Sequence, residues 1–482
     1  LDKQLKEGIE QLFQSWAGEA LSSIESLPKS GSDRQYFRLR GEKKEVLAAY
    51  NSSEKENNAF IAYTKHFKEQ GIALPTIYAE NLEQNLYFLQ DLGNTTLLSF
   101  LEQNRKGAVI DEKAINCYKA ALAQLAFMQI KGGEGLDIEA HQNPAQFGEQ
   151  AMLWDVQYFK YCFLKTTKIE YNDYELEQDV RTLTGYLSKE TSNFFMFRDF
   201  QARNIMLHDN QPFFIDYQGG MRGPLQYDVV SLLFQAKANL PNALREDLLE
   251  HYMDEALKYT DFDRAAFKAK YYAFVLIRTL QVLGAYGFKG LYERKAHFLA
   301  SIPFALRNLD WWLKNVELPI EIPYLSSILA QMVEKELPKE RSALTKSDRL
   351  TVRIQSFSYK RGIPEDPSGN GGGFVFDCRF IHNPGRYQPY KTLTGRDQPV
   401  IDFFKEKSTI HTFVKKVENI VEEAVENYIE RGFASLCINF GCTGGQHRSV
   451  FSADHIAQHL QNKYPIDIVL YHREQERKNW KN

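Results

Sequence analysis

A chain of 482 residues exceeds what one hydrophobic core ordinarily organises, so two or three domains are expected. Its 43% hydrophobic and 25% charged content is that of a soluble globular protein. A net charge of -3 excludes whole-chain attraction to nucleic acid or membrane, and any polyanion site must be a local patch.

No apolar run approaches the roughly 18 to 20 residues that span a bilayer. The stretch from Leu1 to Ala20 is charged and amphipathic and lacks the apolar centre of a signal peptide. Cys117, Cys162, Cys378, Cys437 and Cys442 are scattered and odd in number, which argues against a disulfide framework and for a reducing cytoplasm. No Cys/His spacing resembles a zinc site. The expected location is cytoplasmic, with no membrane partner.

The elements follow in chain order. A helix is predicted over about residues 3 to 16, then two short strands, Gln35 to Arg40 and Glu45 to Asn51, joined through Gly41 as a hairpin. A helix from Glu54 to Gln70 stops at Gly71. Two further strands, Thr76 to Ala79 and Leu86 to Gln90, lead to Asp91-Leu92-Gly93. Helical periods run from Leu97 to about Leu187, broken at Gly132-Gly133-Glu134-Gly135. A strand (Phe194 to Phe197), a polar loop and a hairpin (Ile205 to Leu207, Phe213 to Ile215) precede helices from Tyr227 to about Glu334. This layout predicts an α+β, bilobal protein-kinase-like phosphotransferase fold followed by a separate smaller α/β domain. The expected boundaries are 1–93 for the small lobe, 94–334 for the helical lobe, 335–349 for a charged linker and 350–475 for the second domain.

Phosphoryl transfer from ATP needs an acceptor for the hydroxyl proton, oxygen ligands for magnesium and a cradle for the phosphates. Asp199 is followed by Asn204 and then Asp216, which closes the strand Phe213-Phe214-Ile215. Asp199 would orient and deprotonate a substrate hydroxyl. Asn204 and Asp216 would hold Mg2+ through oxygens, the ligand type this hard ion prefers. An isolated Asp-x4-Asn carries little weight, because Asp before a turn is usually a cap. The order of strand, loop, hairpin, Asp216 and the helix-opening Arg222 to Asp228 is what singles it out.

The stretch from Phe197 to Leu233, with Gly31 to Arg38 and Leu89-Gln90-Asp91-Leu92-Gly93, resembles the aminoglycoside phosphotransferase superfamily. The resemblance runs through about residues 10 to 334 and is closest to anomeric N-acetylmuramate/N-acetylglucosamine kinases. It implies ATP and Mg2+ as cofactors, Asp199 as catalytic base, and Asn204 and Asp216 as metal ligands. It also implies adenine contacts around Gln90 to Leu92 and an amino sugar of cell-wall recycling as acceptor; Asp228 would buttress the catalytic loop. Two departures stand out. Phe197 occupies a position that is often His, where a packed side chain is expected. The strand Glu45 to Tyr50 lacks the lysine that ordinarily grips the phosphates, and Lys43, Lys44 and Lys55 are not placed inward by alternation. The loop from Ser30 to Arg34, through Ser32 and Arg34, is the alternative cradle.

A second constellation lies near the C-terminal end. The strand-like Ser435 to Phe440, the turn Gly441 to Ser449 and a helix from about Val450 to Lys463 form an anion-binding pattern. Arg448 would give a bidentate contact, with His447 and Thr443 as further donors. Cys442 and Arg448 also show the Cys-x5-Arg spacing of cysteine-dependent phosphatases, though no general acid is evident.

Phe357 to Pro364, Val375 to Phe380, Asn383-Pro384, Leu393-Thr394-Gly395 and GCTGGQHRS fall in the order seen in the C-terminal domain of the RNase adapter family RapZ. That resemblance implies a phosphosugar pocket of Lys360, Asp377, Cys442, Thr443, Gly444, His447 and Arg448. It also implies glucosamine-6-phosphate as effector and RNA as a partner, the latter with only the mixed-charge tail His472 to Lys478 behind it. Gly385-Arg386 replace the family's His-Trp, Gln446 replaces a lysine, 367–373 is an unusual glycine-rich insert, and no G-x4-GK[ST] occurs. Three readings follow: a sugar kinase with a phosphosugar sensor, a regulatory adapter with a degenerate kinase fold that binds RNA or protein, and a kinase–phosphatase fusion using Cys442.

Overall fold

The amphipathic first helix, α1 (Lys3–Ala17), buries Ile9 and Phe13 against one face of an antiparallel sheet. The computed structural model describes residues 2–27, 34–107, 109–190, 193–337, 349–364 and 373–477. The sheet comprises β1 (Ser23–Ser26), β2 (Gln35–Arg40), β3 (Glu45–Tyr50) and, after helix α2 (Glu54–Glu69), β4 (Ile77–Asn81) and β5 (Leu86–Leu89). Their spatial order is β1-β2-β3-β5-β4. Period-two alternation sorts the side chains. Phe37, Leu39, Val46, Ala48, Leu86 and Phe88 pack with α1, while Ala49, Tyr87 and Leu89 join the larger core on the other face. β1 escaped sequence reading because it is a mostly exposed edge strand with no alternation to detect. α2 stops where expected, with Gly71 at φ +81°, a backbone region open mainly to glycine.

The chain then enters a mainly helical lobe. A Thr96–Ser99 capping box starts α3 (Leu97–Gln103). The short hairpin β6 (Arg105–Lys106) and β7 (Val109–Ile110) was not predicted. Three helices follow: α4 (Glu112–Phe127), which widens into a π-turn at Met128–Gly132, α5 (Glu149–Cys162) and α6 (Asp173–Leu187). Set among the helices are β8 (Phe194–Met196), the hairpin of β9 (Ile205–His208) and β10 (Gln211–Phe214), and β11 (Met221–Gly223), which pairs with β8. Helices α7 (Leu225–Leu233), α8 (Asn242–Ala256), α9 (Arg264–Tyr286), α10 (Ala296–Leu299), α11 (Ile302–Asn315) and α12 (Pro323–Glu336) complete the lobe.

The chain divides into two compact units, Leu1–Lys339 and Glu340–Asn482. Of the expected linker, 338–348 lies outside the described residues, and α12 runs through its first two positions. The second unit holds β12 (Thr351–Ser358), β13 (Gly373–Asp377), α13 (Gln398–Lys407), α14 (Ile410–Glu430), β14 (Ser435–Cys442), α15 (Arg448–Lys463), β15 (Asp467–His472) and α16 (Arg473–Arg477). Its four strands pair in parallel in the order β13-β14-β12-β15. β14 is buried from Leu436 to Cys442, as a central parallel strand covered on both faces must be. Most of the glycine-rich insert lies outside the described residues.

In the first unit α5 and α9 cross closely. A Cβ on Gly284 would stand 2.8 Å from the Phe159 nitrogen and 2.9 Å from the Tyr158 carbonyl carbon, both backbone atoms that cannot swing aside. Gly284→Ala is therefore expected to lower unfolding free energy by about 1–3 kcal/mol. Gly185→Ala on α6, where a Cβ meets open space, should leave it unchanged or slightly raised. Equilibrium denaturation of the two variants checks the contrast.

Candidate active site and a second ligand edge

The turn that carries Asp199 is built around Asp228, on the first turn of α7 and fully buried. Asp228 Oδ2 accepts the Phe197 N–H at 2.7 Å, and Oδ1 accepts the Arg198 N–H at 2.9 Å. Gln129 Nε2 donates to Oδ2 at 3.0 Å and is itself fixed by the Tyr252 hydroxyl, 2.6 Å from its Oε1. Burial pushes the Asp228 pKa up to about 7, against the pull of these donors. Held by two consecutive N–H groups, the backbone turns sharply and Arg198 takes φ 77°, a left-handed conformation costly for a side chain. Its guanidinium is anchored by Asp155 at 2.9 Å and lies over the rings of Phe147 and Tyr227. Phe197 is fully buried, edge-on to Phe200 and Phe214, the packed role expected where His is often found.

Asp199 emerges from this turn into a ring of donors. Arg278 Nη2 stands 2.8 Å and Gln201 Nε2 2.5 Å from Oδ1, and Arg203 Nη2 stands 3.0 Å from Oδ2. Burial favours the neutral acid, but Arg278 and Arg203 outweigh it and hold the carboxyl below its usual range. Asn204 ties the turn together, with Nδ2 2.9 Å from the Asp199 carbonyl oxygen and 3.4 Å from Asp216 Oδ2. Asp216 follows β10 at φ 69° and accepts from Gln218 Nε2 at 2.8 Å. It is exposed, and no cationic side chain forms an ion pair with it among the described residues. A carboxylate met only by neutral amides is a hard oxygen donor that fits a divalent cation, and Asn204, whose Nδ2 faces it, would add its amide oxygen by turning over.

Asp199, Asn204 and Asp216 are thus brought together, with Asp228 behind them. Beside Asp199 opens a cavity of ≈ 440 Å³, lined by Arg203, Arg278, Gln281, Tyr286, Phe298 and Ser301 among others. On the sheet side, Arg38 binds Asp91 at 2.5 and 3.2 Å and Asn94 at 3.0 Å. Burial opposes the Asp91 charge, yet Arg38 and the Gly93 N–H lower its pKa. This pins the segment of Gln90, whose N–H donates to the Thr76 carbonyl at 2.8 Å, and of buried Leu92. Arg34 precedes β2, is 3% exposed, and reaches Glu56 on α2 at 3.3 Å. Ser32 lies outside the described residues. Sequence reading missed the partners Arg203, Gln201, Gln129 and Glu56. Glu56 was hidden because Ser53-x-x-Glu56 reads as a capping box, and Ser53 does accept the Glu56 N–H.

In the second unit the singled-out residues emerge at one edge, the carboxyl ends of parallel strands. Ser358, at the end of β12, is in register with Cys442, and Asp377, at the end of β13, with Gly441. Lys360 and Thr443 follow at once, and Thr443 and Gly444 are exposed. Other candidates have inward duties. Arg448 Nη1 donates to the carbonyls of Arg379 and Ile381, both at 2.8 Å, rather than standing open as a bidentate donor. His447 Nε2 is 2.8 Å from the Tyr390 carbonyl oxygen, and burial lowers its pKa. Asp377 pairs with Arg379 at 2.6 Å. Cys442, 2% exposed, accepts the Gly445 N–H at 3.2 Å and lies 3.1 Å from Ser449 Oγ. A thiol so covered is placed to shape the turn, not to attack a phosphate. A Ser356–His472–Asp454 chain, with contacts of 2.8 and 2.9 Å, ties β12, β15 and α15 together. Ser356 is fully buried, so that chain is structural.

Comparisons with known proteins agree with this division. Residues 23–268, just over half of the chain, match the phosphotransferase enzyme family, and residues 350–476 match the RapZ C-terminal domain. A nucleotide-binding protein of Lactobacillus acidophilus is 39% identical over 144 residues, 29% of this chain and 46% of the relative. Another, of Cereibacter sphaeroides, is 40% identical over 140 residues, 29% of this chain and 43% of the relative. The chain therefore spans less than half the length of these curated relatives. Among solved structures, choline kinase LicA of Streptococcus pneumoniae superposes with a TM-score of 0.42 at 13% identity, covering 64% of this chain and 99% of that one. A choline kinase of Cryptosporidium parvum gives 0.46 at 12%, covering 68% and 100%. No helix among the described residues is long and apolar enough to cross a membrane. The second unit is similar to the RapZ C-terminal domain, and through its first unit the chain belongs to the phosphotransferase enzyme family.

Proposed function

We propose that the first unit transfers the γ-phosphoryl group of ATP to a hydroxyl of an amino sugar of the N-acetylmuramate/N-acetylglucosamine type, a substrate class of cell-wall recycling. The second unit senses a phosphorylated amino sugar. The observation that carries the first reading is Asp199, fixed by Arg278, Arg203 and Asn204, standing between Asp216 and a cavity of ≈ 440 Å³. Asp199 accepts the proton of the acceptor hydroxyl as that oxygen bonds to phosphorus and ADP departs. Its lowered pKa suits the loose transition state of phosphoryl transfer, in which orientation of the nucleophile matters more than early deprotonation. Asn204 and Asp216 are the residues that would hold Mg2+, which supplies charge neutralisation on the phosphates when bound. The backbone from Gln90 to Leu92, pinned by the Arg38–Asp91 pair, receives adenine.

The cavity mixes amides and hydroxyls (Gln201, Gln235, Gln281, Ser301) with the rings of Tyr286 and Phe298. That mixture suits a polyhydroxylated ring, in which polar groups set orientation and flat surfaces pack the sugar faces. For the second unit, exposed Thr443 and Gly444, next to Lys360, at the carboxyl edge of a parallel sheet support a phosphosugar seat. Glucosamine-6-phosphate is the ligand class.

Three measurements test these roles. Asp199→Asn should cut ATP-dependent phosphorylation of a panel of amino sugars by about 10²–10⁴-fold, the worth of a positioned base. Product NMR identifies the sugar and hydroxyl, and wild-type turnover no greater than the variant's sinks the reading. Asp228 has a folded pKa of about 7, above its ordinary 3.8. Its contribution to stability is therefore complete below pH 3.8 and lost as pH rises through about 7. Asp228→Asn should flatten that decline in pH-dependent unfolding. It should also cost about 1–3 kcal/mol at low pH, because its NH2 faces a backbone N–H. Gly444→Asp, in open space, places a carboxylate in the phosphate seat. It should weaken glucosamine-6-phosphate binding at least about tenfold in calorimetry, with thermal unfolding unchanged.

A further inference from the structure

Strand β3 presents no cation to the cleft. The register places Ala49 opposite Tyr36 of β2 and Tyr87 of β5, and all three lie on the face away from α1. In kinase folds a lysine of this strand grips the ATP phosphates and pairs with a glutamate of the helix that follows. Lys43, Lys44 and Lys55 are exposed, and Lys44 Nζ donates to the Trp16 carbonyl, on the α1 side of the sheet. The function proposed above thus lacks its usual phosphate cation.

Arg34 fills that gap from a different strand. It stands two positions before Tyr36, so alternation directs both to the face away from α1. Its guanidinium lies 5.7 Å from the Phe60 ring of α2, and its charge is felt by both Tyr36 and Tyr87, the neighbours of Ala49. Glu56 Oε2 is 3.3 Å from Arg34 Nη2 and is itself held by Asn51 Nδ2 at 2.9 Å. Asp216, the residue assigned to the metal, also acts on the Arg34 charge.

The pairing is incomplete. Arg34 is 3% exposed, yet its Nε has no hydrogen-bond partner among the described residues, and its Glu56 contact is long. A guanidinium carries five N–H donors in a planar fork suited to phosphate, and leaving buried donors unmet costs free energy. A cation this buried, held by Glu56 and Tyr36 yet with its Nε unmet, is prepared for an anionic ligand.

Resting on the phosphotransferase reading, we infer that Arg34 is the phosphate-gripping cation of the nucleotide site, moved from β3 to the approach of β2, and that Glu56 is its positioning residue. The same charge is delivered to the same place by a neighbouring strand. The cation is then supplied from outside β3, which carries Ala49 at that position.

Calorimetry on the full chain tests this with two probes, AMP-PNP with Mg2+ and adenosine. Arg34→Ala should weaken AMP-PNP at least about tenfold, the worth of a charge-assisted contact, and leave adenosine within about twofold. Glu56→Gln should weaken AMP-PNP by a smaller factor and again spare adenosine. Arg34→Ala/Ala49→Lys should regain AMP-PNP affinity, because it returns the charge to β3. Unchanged AMP-PNP affinity in Arg34→Ala overturns the inference, as does an equal loss of both probes, which marks a purely structural arginine. Wild-type protein that binds AMP-PNP but phosphorylates no amino sugar overturns the transfer reading alone and leaves the Arg34 assignment intact.

Discussion

The turn that carries Asp199 depends on a carboxylate that does not line the cavity. Asp228 accepts two successive backbone N–H groups, and only a sharp bend can point consecutive amides at one side chain. The bend forces Arg198 into a left-handed conformation and thereby sends the Arg198 and Asp199 side chains to different surroundings. Arg198 goes into an aromatic cradle closed by Asp155, and Asp199 goes to the cavity mouth. The strain stays in place because each element is held twice, by Asp228 at the backbone and by Asp155 at the guanidinium. Gln129 and Tyr252 hold Asp228 in turn, so the arrangement reaches into the π-turn after α4 and into α8.

Much of this was legible in the residues. Asp199, Asn204 and Asp216 stand out because they lie on short segments bounded by apolar strands, where a polar side chain at a strand end has one place to go. Asp228, which the resemblance sets behind the loop, is an acid inside the apolar run Leu225 to Leu233 and takes buried N–H donors there. Arg278 could be seen as the one charged residue in the apolar run Tyr271 to Leu283, but its partner was beyond reach, because Asp199 lies 79 positions away. Pairings of that range are set by how helices pack, and the helical period does not record it. β1 and β11 were missed for a different reason. Each is short and takes its place from a neighbour, so neither carries a period of its own.

The second unit shows where motif reading can mislead. Cys442 and Arg448 have a phosphatase spacing, but the guanidinium turns to the carbonyls of Arg379 and Ile381 and the thiol lies under the turn. The spacing arises because a strand, a glycine turn and a helix that meet at a parallel-sheet edge need a short connection and a donor to close neighbouring carbonyls. What the edge leaves open to ligand is backbone, the short side chain of Thr443 and the exposed Lys360.

The helix crossing at Gly284 joins the packing to the site. Asp155, which anchors Arg198, sits on α5, and Arg278, which holds Asp199, sits on α9 six residues before that glycine. At a rise of about 1.5 Å per residue, the crossing lies roughly 9 Å along α9 from the guanidinium. The separation of the two helix axes therefore sets how far apart the two anchors of the turn stand. A residue with no functional group acts as a spacer gauge for Asp199, and a change in its size would be felt at that carboxylate about one and two-thirds turns away.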